Sequence, residues 1–212
     1  MDAPDADIAW VSDAHARLAR HLDRLGDDDV TRPCCLPGWT VGHLLTHVAR
    51  NADSHVRRVA AARRGAVVDQ YEGGAEGRRA QIEAGAARTA DALIADVRRS
   101  ADAVEDSFAS VSPSEWPARS RDAGGLLRCL FELPARRWQE VEVHLVDLDV
   151  GVTYHDWPDA FVQHFLARTR ERMWPVLTPE GRQAVFADPA EELAWLYGRV
   201  VRPDLPEPPA WG

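Results

Sequence analysis

Thr40-Val41-Gly42-His43-Leu44-Leu45-Thr46-His47-Val48-Ala49-Arg50-Asn51-Ala52-Asp53-Ser54-His55 is the stretch on which the reading of the fold turns. Threonine is a favoured helix N-cap, because its hydroxyl accepts from a backbone N–H of the first turn. The helix it opens is predicted to run to about Arg64, just before Gly65. His43, His47, Asn51 and His55 follow one another at four-residue intervals. At about 100° per residue, four steps return a side chain nearly to the same face, one turn along. Three imidazoles and an amide therefore line one side of this helix.

Upstream, Ile8, Val11, Leu18, Leu22 and Leu25 recur at helical spacing and predict an amphipathic helix that ends at Gly26 and Asp27-Asp28-Asp29. Arg32-Pro33-Cys34-Cys35-Leu36-Pro37-Gly38-Trp39 is a turn-rich connector. Downstream, Ile82, Leu93, Val97, Val104 and Phe108 predict one long helix from about Glu76 to Val111, stopped by Ser112-Pro113. A fourth segment runs from about Leu126 to Val150, with Pro134 expected to kink its first turns or split off a short piece. Four amphipathic helices with short or moderate connections predict a mainly α protein built on an antiparallel four-helix bundle, over residues 1–152. The remainder, 153–212, reads as a small separate region. Its helices are expected at about Asp159–Val176 and Pro189–Val200, followed by the extended, proline-rich Pro203–Pro209.

Composition narrows the function classes. The chain has 212 residues with 45% hydrophobic and 28% charged side chains, which are ordinary globular values. Lys and Arg number 25 against 34 Asp and Glu, a net charge of −9. That balance argues against a nucleic-acid surface. No apolar run approaches the roughly 18–20 residues that span a bilayer, and the acidic start Met1-Asp2-Ala3-Pro4-Asp5 lacks a signal-peptide pattern. A cytoplasmic location without a membrane partner is the expectation. Cys34, Cys35 and Cys129 form neither a disulfide framework nor a spaced zinc motif, and are read as structural or incidental.

The fourth segment carries Glu140 and His144, again four apart. A Glu-x-x-x-His pair on one helix facing a histidine on another is a way to build a metal site inside a bundle. Imidazole and carboxylate suit zinc and similar divalent ions, and three protein ligands leave a fourth position for water or substrate. Spacing alone leaves a second reading open, in which His47 is a satisfied core histidine and Glu140 with His144 an exposed pair. Other candidate ligands are His43, His55, Glu142 and Asp147. Glu142 lies about 160° round the helix from His144, which disfavours it.

Leu36-Pro37-Gly38-Trp39-Thr40-Val41-Gly42-His43-Leu44-Leu45-Thr46-His47-Val48-Ala49-Arg50-Asn51-Ala52-Asp53 resembles the N-terminal signature of mycothiol-dependent maleylpyruvate isomerases, within the wider DinB-like superfamily of metal-dependent, thiol-using proteins. Tyr71 to Glu83, Arg137 to Leu148, Glu192 to Arg199 and the ending Leu205 to Gly212 resemble further stretches of that family in the same order. The resemblance places the family's zinc ligands on His47, Glu140 and His144. His43 and Asn51 flank His47 by one turn and are placed as cofactor-binding residues. His43 sits beside the ligand or caps the helix, and Asn51 orients a ligand or the substrate. A C-terminal arginine that meets substrate carboxylates falls on Arg199, with Arg78 and Arg137 as further candidates to hold a dianion. Between about Trp174 and Ala187 the sequence departs from the family pattern of several strands, so the C-terminal region is expected to be trimmed, either α+β or helical.

The resemblance implies isomerisation of maleylpyruvate to fumarylpyruvate. Mycothiol, activated by a divalent metal, adds to the double bond, the bond rotates, and the thiolate leaves. The partners implied are a small-molecule substrate and a low-molecular-weight thiol, with a homodimer as the superfamily's frequent state. Two rival readings stand beside it. One is a mycothiol S-transferase acting on another electrophile, and the other is a non-catalytic metal-binding regulatory module in which a fourth protein ligand closes the site.

Overall fold

Residues 3–206 are described by the computed structural model, in two compact units divided between Leu148 and Asp149. The six C-terminal residues, 207–212, which hold most of the Leu205-to-Gly212 motif, lie outside the described residues, as do Met1 and Asp2.

Helix α1 (Asp5–Leu22) carries Asp5 and Asp7 in its first turn and Arg20 and His21 in its last, complementing the helix dipole at both ends. Asp27-Asp28-Asp29, expected only to terminate that helix, forms most of a short helix α2 (Asp27–Thr31). The Asp29 carboxylate accepts from the Gly26 N–H at 2.9 Å, which satisfies an otherwise orphan donor. Helix α3 (Val41–Arg63) opens at Thr40, whose hydroxyl accepts from the His43 N–H at 3.4 Å.

The long helix expected from Glu76 to Val111 is two helices, α4 (Gly74–Ala86) and α5 (Ala90–Ala109). The break has a local cause. Thr89 adopts extended backbone and caps α5 through the Ala92 N–H, while the Asp27 carboxylate accepts from the Ala90 N–H at 2.7 Å. Acceptors for these amides favour a fresh helix start over continuation.

The segment expected as helix from Leu126 also begins differently. Strand β1 (Arg119–Arg121) pairs antiparallel with β2 (Leu127–Cys129), and a 3₁₀ turn (Leu130–Glu132) leads into α6 (Leu133–Asp147). The ribbon's turn is organised by Asp122, whose carboxylate accepts from the N–H groups of Gly124 and Leu126 and from Arg128 Nε at 2.9–3.0 Å. Pro134 sits in the first turn of α6, where its missing N–H would have had no helical partner.

Side-chain pairs fix the helix directions. Ser12 and His15 meet Glu105 while Asp23 meets Arg98, so α1 and α5 are antiparallel. His47 meets His144 while Asn51 meets Arg137, so α3 and α6 are antiparallel too. Trp10 stacks on Trp138 and Arg17 approaches Glu142, which makes α1 and α6 parallel. Thr46 meets Arg88, Arg50 meets Asp96 and His55 meets Phe108, which makes α3 and α5 parallel. The order is therefore up, down, down, up, with each antiparallel side of the ring next to a parallel one. Helix α4 runs back along α3 to return the chain for α5.

Starts of α1 and α6 and ends of α3 and α5 share one end of the bundle, packed around Val59, Phe108, Trp116, Leu130 and Leu133. Toward the other end, α3 lies so close to α4 that a Cβ on Gly42 would stand 2.2 Å from the Ala86 carbonyl oxygen.

The second unit is helical, with α7 (Asp159–Met173), α8 (Pro179–Arg182) and α9 (Pro189–Leu196), and contains no strand among the described residues. Met173, Leu177, Trp195 and Leu196 form its core, and Trp157 packs on Phe161 and Tyr197 beside it. Arg170 Nε donates to Glu192 at 2.7 Å, tying α7 to α9.

Candidate metal centre

Three side chains converge between α3 and α6. His47 Nε2 lies 3.1 Å from His144 Nε2 and 3.3 Å from Glu140 Oε2, and His144 Nε2 lies 3.2 Å from the same glutamate oxygen. Ligands about 2.0–2.1 Å from a tetrahedral zinc stand about 3.3–3.4 Å apart, so this triangle of donors suits such an ion. Among the described residues the group of clustered His, Cys, Asp and Glu side chains here has these three members. The histidine side chains are buried at 4% and 7% exposure, while Glu140 is 26% exposed and leaves one side accessible.

Surroundings decide the proton positions. His144 Nδ1 stands 2.8 Å from Asp147 Oδ2, and a carboxylate there accepts, so Nδ1 carries the proton and Nε2 is left as an acceptor or ligand. His47 Nδ1 lies 3.2 Å from Arg78 Nη2. A guanidinium only donates, so Nδ1 accepts there and Nε2 holds the proton shared toward Glu140 and His144. Were an ion held through His47 Nε2, the neutral ring would carry its proton on Nδ1, which is incompatible with a donor from Arg78. Ion binding and the Arg78 contact therefore exclude one another at this nitrogen.

Electrostatics obey the same logic. Burial pulls His47 down to about 4, against the hydrogen bond to Glu140, so it is neutral and ligand-ready at pH 7. Burial also works against the charged form of His144, but its hydrogen bonds to Asp147 and Glu140 outweigh that and raise its pKa. For Glu140 burial pushes upward, yet the two imidazoles hold the carboxyl well below its usual range. A carboxylate flanked by two imidazoles is a donor set for a borderline divalent cation.

Trp39, from the Pro37-Gly38-Trp39 turn, packs edge-on against His47 with centroids 5.6 Å apart. Arg78 lies over both Trp39 and Tyr71, at 5.8 and 5.6 Å from their ring centroids. Neither aromatic ring was singled out by spacing, because each reaches the site from a loop.

His43 is committed to the helix start. Its Nδ1 lies 2.8 Å from Thr40 Oγ1 and 3.2 Å from the Thr40 N–H, and its Nε2 faces Glu83 at 3.4 Å. Asn51 Oδ1 accepts from Arg137 Nη1 at 3.0 Å, one turn below His47. His55 stacks edge-on with Phe108 and is not part of the three-member group. Glu142 faces Arg17 of α1 at 3.6 Å. Arg199 belongs to the second unit, where its backbone N–H donates to Ala194 and its guanidinium to the Tyr197 carbonyl. The Cys34 thiol is pushed up by burial and points at the Leu36 carbonyl.

Fold and side-chain cluster together define the class: a four-helix-bundle protein with a His₂Glu group of metal-ligating composition between two of its helices. The chain belongs to the mycothiol maleylpyruvate isomerase family, whose N-terminal domain model matches residues 11–149. Among solved structures, a mycothiol-dependent maleylpyruvate isomerase superposes with a TM-score of 0.89 at 21% identity, covering 100% of each chain. A histidine-to-alanine mutant of such an isomerase superposes with a TM-score of 0.87, at 21% identity and the same coverage. No curated protein sequence gives a match.

Proposed function

We propose that this protein is a metal-dependent enzyme that uses mycothiol to isomerise maleylpyruvate to fumarylpyruvate. The observation that carries the reading is the triangle of His47, Glu140 and His144 donor atoms, 3.1–3.3 Å apart and open on the glutamate side. Membership of the family supports it further.

His47, Glu140 and His144 would hold the ion, with zinc the best match to the donor set. A bound divalent cation supplies the Lewis acidity that keeps a thiol deprotonated at neutral pH. Reversible thiol addition removes the double-bond character of the substrate, and rotation about the resulting single bond before elimination changes cis to trans. Negative charge develops on the substrate during addition, and preorganised cations stabilise it best in a water-poor site.

Arg78 is proposed for this role. Its Nη2 lies 3.2 Å from His47 Nδ1 beside the triad, with Trp39 and Tyr71 framing the guanidinium, and an ion held by His47 would free that donor for substrate. A guanidinium binds carboxylate bidentately, which suits a dianionic substrate. Arg199 is proposed as a second carboxylate contact. Asn51 is proposed to act through Arg137, which it orients.

The test is purified protein with zinc and mycothiol, monitored by the ultraviolet absorbance of maleylpyruvate, alongside conjugation of mycothiol to a generic electrophile. Isomerisation without conjugation is expected. Unchanged maleylpyruvate with efficient conjugation overturns the isomerase reading in favour of an S-transferase. Arg78→Met is expected to lower kcat/KM by about 10²-fold or more, as loss of a charge-stabilising donor does.

A further inference from the structure

Below the triad, the same face of α3 continues through Asn51, His55 and Arg58, one turn apart. Each is about 1% exposed, and Arg137 of α6, bonded to Asn51, is fully buried. Arg58 uses only Nε, donating to Ser120 Oγ of β1 at 3.0 Å. Arg137 uses Nε toward His15 Nε2 at 3.0 Å and Nη1 toward the Val48 carbonyl at 2.9 Å and Asn51 Oδ1. Left without a protein hydrogen-bond partner are both Nη atoms of Arg58, Nη2 of Arg137 and both ring nitrogens of His55, while the Asn51 amide also faces the Tyr71 hydroxyl.

Except for one nitrogen of a neutral imidazole, all of these atoms are donors. Neither guanidinium makes an ion pair with a carboxylate among the described residues, and both are held below their usual range by burial. An unpaired buried charge is among the costliest arrangements in a protein interior, and removing its partner is worth several kcal/mol. Buried donors on guanidiniums that only more distant carboxylates such as Glu140 and Asp122 offset call for an acceptor with negative charge. A surface cleft lined by Asp53, Ser54, Arg57, Gln70, Tyr71 and Glu72 flanks this stretch of α3.

We propose that Asn51, His55, Arg58 and Arg137 form a buried binding site for one carboxylate-class anion. The anion is either a carboxylate of the substrate or a free small anion. The site does not rest on the isomerase reading, because its donors are present without metal or thiol.

The test titrates acetate into metal-free protein, at constant ionic strength set with a bulky sulfonate, and tracks the melting midpoint and the arginine Nε–H signals by NMR. Saturable stabilisation is expected, about 3–6 °C at tenfold the dissociation constant, with shifts of the Arg58 and Arg137 signals. Arg58→Met removes the charge at similar length and is expected to fold at least as stably as the parent, because a buried charge is replaced by an apolar chain. It should lose the acetate response, and His55→Phe should weaken it. Maleate competing with acetate would support the site and assign it to the substrate's carboxylate. Acetate binding that maleate does not displace would support it as a site for a free anion. No saturable response in the parent, or an equal one in Arg58→Met, overturns the proposal.

Discussion

Asp147 decides which nitrogen of His144 can reach a metal. Its carboxylate accepts from Nδ1 at 2.8 Å and is itself 1% exposed, so the tautomer is fixed by a buried group. Asp147→Asn is expected to lower zinc affinity by about 10–100-fold while leaving the melting curve nearly unchanged. Competition with a chromogenic chelator would read this, and unchanged affinity would mean Asp147 does not orient the ring. His47→Ala, Glu140→Ala and His144→Ala are each expected to abolish stoichiometric metal in mass spectrometry of the purified protein.

Glu142, on the far face of α6 from Glu140 and His144, has a carboxyl shifted in the opposite sense to that of Glu140. Burial raises its pKa to about 7, against the partial attraction of Arg17 at 3.6 Å. A carboxyl whose folded pKa lies above its unfolded value binds more protons when folded, so stability falls as pH rises from about 4.5 to 7. Glu142→Gln is therefore expected to raise the melting midpoint at pH 8 and to change it little at pH 4.5. A uniform shift at both values would contradict this. At this scale the sequence exposed what repeats along a helix: Glu140 and His144 four apart, and His47 in a column four apart. It hid Trp39, Tyr71 and the part played by Asp147, because a loop's approach and a hydrogen bond three residues on carry no period.

Helices were legible wherever apolar residues recur, and their breaks were not. Nothing in the run from Glu76 to Val111 shows that Asp27, some sixty residues earlier, will accept from the Ala90 N–H. The ribbon was missed for a similar reason, because its turn depends on three donors gathered by Asp122. Close approach of elements is another property invisible to pattern. Gly42→Ala would drive a methyl to 2.2 Å from the Ala86 carbonyl oxygen, with the Val30 carbonyl 3.2 Å away on the other side. Both neighbours are backbone, which cannot swing aside as a side chain does, so relief requires α3 to move away from α4. The expected cost is about 1–3 kcal/mol, read as a lowered urea midpoint at unchanged m-value. A neutral result would show that α4 docks loosely.

Residues up to Leu148 hold a core and all three clustered side chains, while the second unit has a core of its own. A fragment ending at Leu148 is expected to melt cooperatively and retain about one zinc per chain, checked by circular dichroism and metal analysis. Loss of either would mean that the bundle depends on the C-terminal unit for its stability.

The up, down, down, up order also bears on how the protein is made. His47 emerges early from the ribosome, but Glu140 and His144 sit on the last helix of the bundle, which must settle between α1 and α3. Vectorial synthesis therefore withholds the complete set of ligands until the final strut of the bundle has left the exit tunnel. If the triad holds the proposed ion, capture would wait for α6, and a nascent product arrested before it would carry only His47 of the three, with little power to sequester the ion.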